Sequence, residues 1–450
     1  MTPLLHRQRG AVAIMTALAM LVLLAVVGLV IDGGLAYLVK ARLNAAVDSA
    51  ALAGARAVTT GNNQTEQTAS AQGAAADFFN ANMPTSFLLS SPKLLATKVS
   101  FDQGQATIDV SAEAPMPVSV MQVVGFSSLK PVAAAQTIRR DLDMAFVIDT
   151  SGSLQTQAAT VRSSAKTFLN KFNVTQDRVS LIHFASGAEV DFPINQSARG
   201  FNRASMLKKI DAYVFADGTA SVEGMWNARD QLNAIPTANR STMRVIVFFS
   251  DGDPSALGSV VTFATAADCT VPGVIDKTVD DQSRTWVGYG MSDLDSSQFS
   301  YISDRCRTIR NNKVMTRSLP AWYNAHDNKR EFPIVTDRPR RVTADLSTVD
   351  ATKRNIELAA RNLAEAVADK ARDEGIVVFT LGMGAQLKKG GAYDTDTGEM
   401  ILKCMANVPD APSRCYNAAK PEGMYCYAAT EADLTPCFSR LASAILRITK

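Results

Sequence analysis

A long uncharged, apolar stretch lies close to the amino end of the chain, at Ala11–Ile31. As a helix it is long enough to cross the roughly 30 Å of hydrocarbon in a bilayer. Arg7 and Arg9 precede it and Asp32 follows it, which predicts a transmembrane helix whose amino end is cytoplasmic. A cleaved signal peptide is the alternative, but the apolar run is longer than such segments usually are.

Beyond this stretch the apolar positions continue at helical spacing. Over Gly33–Val58 hydrophobic residues recur three or four positions apart, with many small residues between them. Small residues let helices approach closely, so this segment packs either on its own domain or on a neighbouring subunit. A short helix at Thr68–Phe79 and a hairpin at Thr97–Val110 then predict a small α+β stalk.

From Asp141 onward the pattern changes to short buried strands that alternate with helices. Met144–Ile148, Met243–Phe249 and Ile376–Leu381 are continuous apolar runs, and a long helix is predicted at Val349–Glu374. Continuous apolar runs fit strands that are covered on both faces. The alternation predicts an α/β fold with a doubly wound, mainly parallel sheet.

Two long stretches interrupt this alternation and are predicted to be insertions, because a structureless connection of such length is unusual in a compact domain. The predicted organisation is a cytoplasmic tail (1–9), a transmembrane and juxtamembrane helix (10–57), a small α+β stalk (58–140) and an α/β domain (141–450), with insertions at about 253–346 and 386–424.

Three polar loops in the α/β domain offer oxygen ligands. Asp149, Ser151 and Ser153 follow one buried strand directly, Thr219 precedes a helix, and Asp251 follows another buried strand. The carboxyl ends of parallel strands meet at one edge of a sheet, so we expect the loops to converge. Their oxygens suit a hard divalent cation such as Mg2+. The alternative is a set of polar turns whose Ser and Asp side chains cap helices.

These motifs, in this order, resemble the von Willebrand factor A family. Its metal-ion-dependent adhesion site uses D-x-S-x-S, a later Thr and an Asp after a further strand, and this sequence fills all five positions. The resemblance implies that the hydroxyls of Ser151, Ser153 and Thr219 bind the metal directly, and that Asp149 and Asp251 act largely through water. It also implies an open coordination position that attracts an Asp or Glu of a partner protein. Mg2+ is the expected ion, with Mn2+ or Ca2+ as alternatives.

A second resemblance covers Arg9–Ala57, which is similar to the amino-terminal region of TadE/TadG-type proteins. These belong to the tight-adherence (Flp) pilus assembly systems of bacteria. In the pilin-like members a Gly is followed by a segment with a Glu that the prepilin peptidase recognises. After Gly10 this sequence continues AVAIM, without a Glu, which favours the uncleaved, membrane-anchored, TadG-like type.

Composition narrows the class of protein only slightly. The 450 residues exceed the usual size of a single core, so two or more units are expected. The formal net charge is +3, and no basic run with interleaved aromatic residues supports nucleic-acid binding. With three His and no H-E-x-x-H or G-x-S-x-G motif, the sequence does not favour an enzyme.

The six Cys all follow residue 268 and show no C-x2-C spacing. An even number of Cys beyond a membrane span predicts disulfides in an oxidising compartment rather than a zinc site. Cys269 is expected to pair with Cys306. The remaining four allow three arrangements, of which we favour Cys404–Cys437 with Cys415–Cys426.

Other polar features are predicted to be structural. His183 is expected to be a packed or edge histidine, and His326 has no neighbour at ligand spacing. Asp394 and Asp396 stop short of a calcium loop and are expected in a solvated turn, and Arg338–Arg341 is expected at the solvated surface.

Together these features predict a single-pass protein of a Gram-negative inner membrane with a periplasmic carboxyl-terminal domain. It would grip an acidic group on a pilus-assembly partner through its metal. The alternatives are a surface-facing adhesin for host or matrix protein, an enzyme with its site in the insertions, and a metal-independent scaffold.

Overall fold

The computed structural model describes residues 9–58, 60, 64–102, 105–241, 243–265, 269–277, 291–300, 302–303, 305–310, 313–327 and 329–448. Nearly all of the predicted cytoplasmic tail, including Arg7, lies outside these residues, as does the turn of the predicted hairpin at 103–104. The described chain divides into two compact units, one within Met1–Arg139 and the other within Arg140–Thr449.

The amino-terminal unit is built on one unbroken helix, α1 (Arg9–Ala57), which is long and apolar enough to cross a membrane by length and composition. Its second half buries Leu43, Val47 and Ala50 against α2 (Gln64–Asn82) and the adjoining sheet. Gly54 permits this close approach, because a Cβ there would lie 3.1 Å from Ile108 Cγ2. The small residues of α1 therefore serve packing within its own unit.

The strands of this unit's main sheet lie in the order β1 (Lys93–Asp102), β2 (Gln105–Glu113) and β5 (Val132–Arg140). The predicted hairpin is confirmed, since β1 (Lys93–Asp102) pairs antiparallel with β2 (Gln105–Glu113). A short second hairpin, β3 (Met116–Pro117) with β4 (Ser128–Leu129), precedes β5 (Val132–Arg140).

The carboxyl-terminal unit contains a six-stranded sheet with helices on both faces, which confirms the predicted fold class. Its elements, apart from the first insertion, are β6 (Leu142–Asp149), α3 (Ala158–Leu169), β7 (Arg178–Phe184), β8 (Ala188–Phe192), α4 (Arg203–Asp211), α5 (Ser221–Ala234), β9 (Met243–Ser250), α6 (Val349–Asp373), β16 (Ile376–Met383), α7 (Gly398–Ala406), β17 (Met424–Ala428) and α8 (Glu431–Ile448). The strand order is β17-β16-β9-β6-β7-β8, and β8 alone of these is antiparallel to its neighbour.

The core forms two layers because successive side chains of a strand point to opposite faces of the sheet. Ala145 and Val147 of β6 pack with α5, α6 and α7. Met144 and Phe146 pack on the other face with α3, α4 and α8, where the Phe146 ring lies 4.8 Å from that of Phe168. Every residue of β6 and β9 is buried, which explains their continuous apolar pattern.

In its described residues the first insertion adds six short strands: β10 (Ala256–Ser259), β11 (Thr262–Phe263), β12 (Gly273–Asp276), β13 (Ile309–Arg310), β14 (Lys313–Val314) and β15 (Thr316–Ser318). They pair antiparallel as β10-β12, β11-β15 and β13-β14. Leu257 and Ile275 join the core layer beneath α5 and α6, so the insertion is part of the folded unit. The expected disulfide Cys269–Cys306 is confirmed.

The other predicted disulfides were wrong. The structure pairs Cys404 with Cys415 and Cys426 with Cys437, each 11 residues apart, with Cα–Cα distances of 5.4 and 5.7 Å. Both distances suit a disulfide. Cys404 lies on α7, an unpredicted helix in the second insertion, and the chain turns back to Cys415 directly after that helix. Pairing between neighbours in sequence therefore replaces the nested arrangement.

The acidic pair of the second insertion is neither a calcium loop nor a solvated turn. Arg340 forms ion pairs with Asp394 and Asp396, and Arg414 pairs with Asp396 at 2.5 Å. The Arg340 side chain is buried, so the basic cluster at 338–341 is not wholly surface as predicted. These pairs fasten the second insertion to the segment before α6.

Candidate metal centre

The candidate site lies where two central strands end side by side. Strands β6 and β9 are neighbours in register, with Ile148 opposite Phe249. Asp149 ends β6, Ser250 ends β9 and Asp251 directly follows it, so parallel pairing brings these polar groups to the same edge. This is the edge at which open α/β sheets bind ligands.

A chain of hydrogen bonds connects the two strand ends. Asp149 Oδ1 accepts a hydrogen bond from the backbone N–H of Ser151 at 2.8 Å, and Ser151 Oγ lies 3.1 Å from Ser153 Oγ. Ser153 Oγ in turn donates to Asp251 Oδ1 at 2.9 Å. Asp149 Oδ2 accepts from Ser250 Oγ at 2.6 Å. Four of the five predicted ligands therefore share one continuous cluster.

Thr219, the fifth, comes from the loop before α5 and lies against the same strand end. Its backbone N–H donates to Ser255 Oγ at 3.2 Å, and its carbonyl accepts from the Ser255 N–H at 3.1 Å. A Cβ on Gly252 would lie 3.8 Å from Thr219 Oγ1. The hydroxyl of Thr219 thus faces the residue that follows Asp251.

Backbone hydrogen bonds hold the first two loops together. The Gly152 N–H donates to the Asp217 carbonyl at 3.1 Å, and the Ala216 N–H donates to the Thr150 carbonyl at 3.0 Å. Gly152 leaves room for this contact, because a Cβ there would lie 3.2 Å from Asp217 N. The loops are therefore fixed to each other before any ion is bound.

The site concentrates negative charge in a buried position. Burial raises the pKa of Asp149 to about 6. Burial, together with the negative charge of Asp149, raises the pKa of Asp251 to about 7. In the part of the chain that the structure describes, neither carboxylate pairs with a Lys or Arg, whereas Asp253 beside them is paired with Arg361 at 2.6 Å.

This set of donors fits a hard divalent cation. The cluster offers carboxylate and hydroxyl oxygens, the ligands that Mg2+ and Ca2+ prefer, and a cation would stabilise the ionised form of both carboxylates. Asp149 and Ser151 are buried, while Ser153 is exposed, so the cluster opens to solvent on the Ser153 side. A bound ion would be reachable by a ligand from outside.

A second group of possible ligands, His183, Glu189 and Asp191, lies on β7 and β8. Lys209 Nζ lies 2.9 Å from Asp191 Oδ1 and 3.0 Å from Glu189 Oε1, and Asp191 also binds the Tyr213 hydroxyl. The Lys209 ammonium group supplies the positive charge that a metal would bring. The His183, Glu189 and Asp191 side chains therefore belong to a structural ion-pair cluster. His183 is packed, its ring stacked on Tyr213.

Sequence reasoning did not identify Ser250 or Ser255, which support Asp149 and Thr219. It also missed Glu223, a buried carboxylate at the start of α5 that holds the first insertion. Glu223 accepts hydrogen bonds from the Tyr323 hydroxyl at 2.8 Å, from Gly258 N at 2.7 Å and from His326 Nε2 at 2.6 Å. One local signal is that Glu223 stands between the apolar Val222 and the small Gly224, in a first helical turn that is buried all round.

Two family models match the sequence. Residues 143–304 match the von Willebrand factor type A domain, and residues 10–57 match the description "putative Flp pilus-assembly TadE/G-like". The first match ends within the first insertion, and β16 and β17 of the same sheet follow it. No curated protein matches the sequence.

Several solved structures are similar to the chain. The pilus adhesin SpaC from Lactobacillus rhamnosus GG matches at 15% identity over 80% of this chain and 35% of its own, with a TM-score of 0.39. The PilB minor pilin from Streptococcus sanguinis matches at 14% identity over 80% of this chain and 79% of its own, with a TM-score of 0.39. The vWF domain of the type V pili tip protein Mfa5 from Porphyromonas gingivalis matches at 15% identity over 70% of this chain and 98% of its own, also with a TM-score of 0.39.

The chain thus spans about a third of the length of SpaC. The two family matches agree with the resemblances seen in the sequence and with the doubly wound sheet. The chain combines a TadE/G-like amino-terminal region with a von Willebrand factor type A domain.

Proposed function

We propose that this protein is a membrane-anchored, metal-dependent binding component of a tight-adherence pilus assembly system. The observation that carries the metal-binding part is the hydrogen-bond chain from Asp149 through Ser151 and Ser153 to Asp251, because it joins ligands from two separate strands at one solvent-facing point. The pilus role rests on the TadE/G-like region at residues 10–57.

In this proposal Mg2+ is held by the hydroxyl oxygens of Ser151, Ser153 and Thr219, while Asp149 and Asp251 supply negative charge. Mn2+ and Ca2+ are alternatives. Hydroxyl ligands are neutral, so the cation keeps a strong attraction for an external carboxylate. An Asp or Glu of a partner protein would complete the coordination at the open side, next to Ser153.

Binding accounts for this arrangement better than catalysis does. A hydrolytic site needs a positioned base or nucleophile, and here the two carboxylates are already engaged by Ser151, Ser153 and Ser250. The cluster is built to hold a cation and present it.

The proposed location is the inner membrane of a Gram-negative bacterium, with α1 as the anchor and the carboxyl-terminal unit in the periplasm. Three disulfides support an oxidising compartment for that unit. The length and apolar character of α1 support the anchor.

A titration of the full chain in detergent with Mg2+, followed by calorimetry, tests the metal site. Asp251→Asn keeps the size of the side chain and an acceptor for Ser153 but removes the charge. We expect the affinity to fall at least tenfold, about 1.4 kcal/mol of binding free energy. The matched control is Asp230→Asn, which removes an exposed carboxylate on α5 and should bind like the wild type.

Circular dichroism should show the same fold for both variants. If Asp251→Asn binds Mg2+ as tightly as the wild type and Asp230→Asn, the proposed metal site is wrong.

A further inference from the structure

The connection between β3 and β4, residues 118–127, forms the tip of this short hairpin. It contains a 3-10 turn at Met121–Val124, and Gly125 directly after this turn adopts the left-handed region, at φ +94°. The tip contributes little to the core of its unit, which consists mainly of α1, α2 and the three-stranded sheet. What holds it in place is α1.

The tip is fastened to α1 through a buried carboxylate. Asp32 Oδ1 accepts from the Ser119 N–H at 3.0 Å, and Asp32 Oδ2 accepts from the N–H groups of Val120 and Met121 at 2.9 and 2.8 Å. The Asp32 residue is only 1% exposed. One carboxylate thus satisfies three backbone donors at the start of the turn, which fixes where the tip lies along the helix.

A second contact lies one helical turn earlier on the same face. A Cβ on Gly28 would lie 3.2 Å from both Met121 Cγ and Met121 N, so the tip rests directly on the Gly28 backbone. Gly28 lies inside the apolar stretch Ala11–Ile31. The tip therefore covers the last turn of the proposed membrane span.

The depth of this contact follows from helix geometry. At about 1.5 Å per residue, Ala11–Ile31 is about 30 Å long, so the whole stretch is needed to cross the hydrocarbon. Gly28 then lies about 4.5 Å inside the outer end of the span. A segment that touches Gly28 must lie at the boundary between the hydrocarbon and the headgroups.

The tip carries apolar side chains that the protein does not cover. Val123 is 53% exposed and Phe126 is 52% exposed. On α1, Val27 and Ile31, which directly precede Gly28 and Asp32 in sequence, are also apolar and exposed. The tip and the part of α1 that it contacts therefore both carry uncovered apolar side chains.

We propose that the tip is a second membrane-contacting element, with Val123 and Phe126 entering the lipid interface beside α1. The occupant of this surface is the acyl-chain and headgroup boundary of the bilayer. Aromatic and aliphatic side chains are stabilised at that depth, whereas in water they would remain exposed. The inference rests on the proposed insertion of α1 in a membrane.

Single Cys substitutions in the full chain test the proposal, because all six native Cys are in disulfides. Val123→Cys and Phe126→Cys are labelled with an environment-sensitive fluorophore, and the protein is reconstituted in vesicles of phosphatidylethanolamine and phosphatidylglycerol. Quenching by nitroxide-labelled lipid is compared with quenching by aqueous iodide.

Phe78→Cys is the matched control, since Phe78 is 49% exposed in the same unit. It lies near the end of α2, where Asn82 Nδ2 donates to Ser49 Oγ at 3.2 Å. Ser49 is 17 residues beyond Asp32, about 26 Å further along α1. Leu21→Cys, in the middle of the apolar stretch, reports on the insertion of α1 itself.

We expect labels at 123, 126 and 21 to be quenched by the lipid nitroxide at least twice as strongly as the label at 78, which iodide should quench best. If 123 and 126 behave like 78 while 21 is quenched by lipid, the tip does not contact the membrane and the proposal is overturned. If 21 also fails to sense lipid, the proposed anchor itself is wrong, and this inference falls with it.

Discussion

Ser153 is the residue that connects the two halves of the candidate metal centre, through its hydroxyl group. It touches Ser151 of its own loop and Asp251 of the neighbouring strand, and it is the exposed member of the cluster. In the proposed metal-bound state a cation among these oxygens would replace hydrogen bonds with coordination bonds, in loops that backbone hydrogen bonds already hold together. The site is therefore organised in advance, which reduces the ordering cost of binding.

Ser250 supports this centre although it is not among the predicted ligands. Replacing it by Ala removes the donor to Asp149 Oδ2 and leaves a buried carboxylate with one partner fewer. A hydrogen bond to a charged group contributes about 1.5–3 kcal/mol, so we expect Mg2+ affinity to fall at least about tenfold. Calorimetric titration of the full chain measures this.

The control for that variant is Ser164→Ala, which removes another buried hydroxyl, one that lies 2.8 Å from Thr435 Oγ1. Ser164 lies on α3, and its loss should leave Mg2+ affinity unchanged. Equal affinities for wild type and Ser250→Ala would show that Ser250 does not position Asp149.

At this scale the sequence predicted the five candidate ligands, because their spacing after two buried strands is visible in the chain itself. It could not predict Ser250 or Ser255, whose roles depend on which strands and loops become neighbours. The same limit explains the error at Asp394 and Asp396. Their partners Arg340 and Arg414 are distant in sequence, and only folding brings these charges together.

Among the elements, α5 connects the metal centre to the first insertion. It begins directly after the Thr219 loop, and Glu223 in its first turn binds Tyr323 and His326 of the insertion. His326 also stacks on Trp226 of α5, with ring centroids 3.8 Å apart. The insertion is therefore held against the helix that follows a candidate ligand.

This connection predicts a pH-dependent stability. Burial alone would lower the pKa of His326, but the hydrogen bond and charge of Glu223, with smaller contributions from Asp295 and Asp230, raise that pKa above its ordinary value. Because the pKa of His326 is higher in the folded state than in the unfolded state, the protonated His326 stabilises the fold fully at pH values below the unfolded pKa of about 6.5. This stabilisation is lost as the pH rises through the folded-state pKa. His326→Gln should therefore lose more unfolding free energy at pH 6 than at pH 9.

Denaturant unfolding of the oxidised protein at both pH values measures this difference. Tyr323→Phe is the control, because burial and Glu223 raise the pKa of Tyr323 well above its usual range, so that the group stays protonated at both pH values. Its loss should destabilise the protein equally at pH 6 and pH 9. A pH-independent cost for His326→Gln would contradict the proposed His326–Glu223 ion pair.

The central strands were predictable because they are buried on both faces and read as unbroken apolar runs. Helix α7 was missed, since the stretch directly before it, GGAYDTDT, is rich in Gly, Asp and Thr and resembles a loop. Missing α7 also led to the wrong disulfides, because the position of Cys404 on that helix decides its partner.

For the whole molecule, the orientation across the cell envelope is the property that separates the proposed function from an outward-facing adhesin. Ser197 lies in an exposed loop of the carboxyl-terminal unit, so Ser197→Cys offers one reactive thiol. A maleimide on a large polymer, which cannot pass the outer membrane, should label it only after that membrane is permeabilised. The wild-type chain, with all six Cys in disulfides, is the unlabelled control.

Labelling on intact cells would favour the adhesin. Labelling that requires disruption of the inner membrane would place the unit in the cytoplasm and contradict the proposed topology.

Helix α1 runs for 49 residues without a break, a length of about 73 Å. Less than half of that length is needed to cross the lipid, and the remainder forms the spine of the amino-terminal unit, against which α2 and Ile108 of the sheet pack. The proposed membrane anchor and the central helix of the amino-terminal unit are thus one continuous helix. If a neighbour in the membrane rotates or tilts the buried end, the sheet of this unit must turn with it, so mechanical force from the lipid side is passed outward instead of being absorbed in a flexible linker.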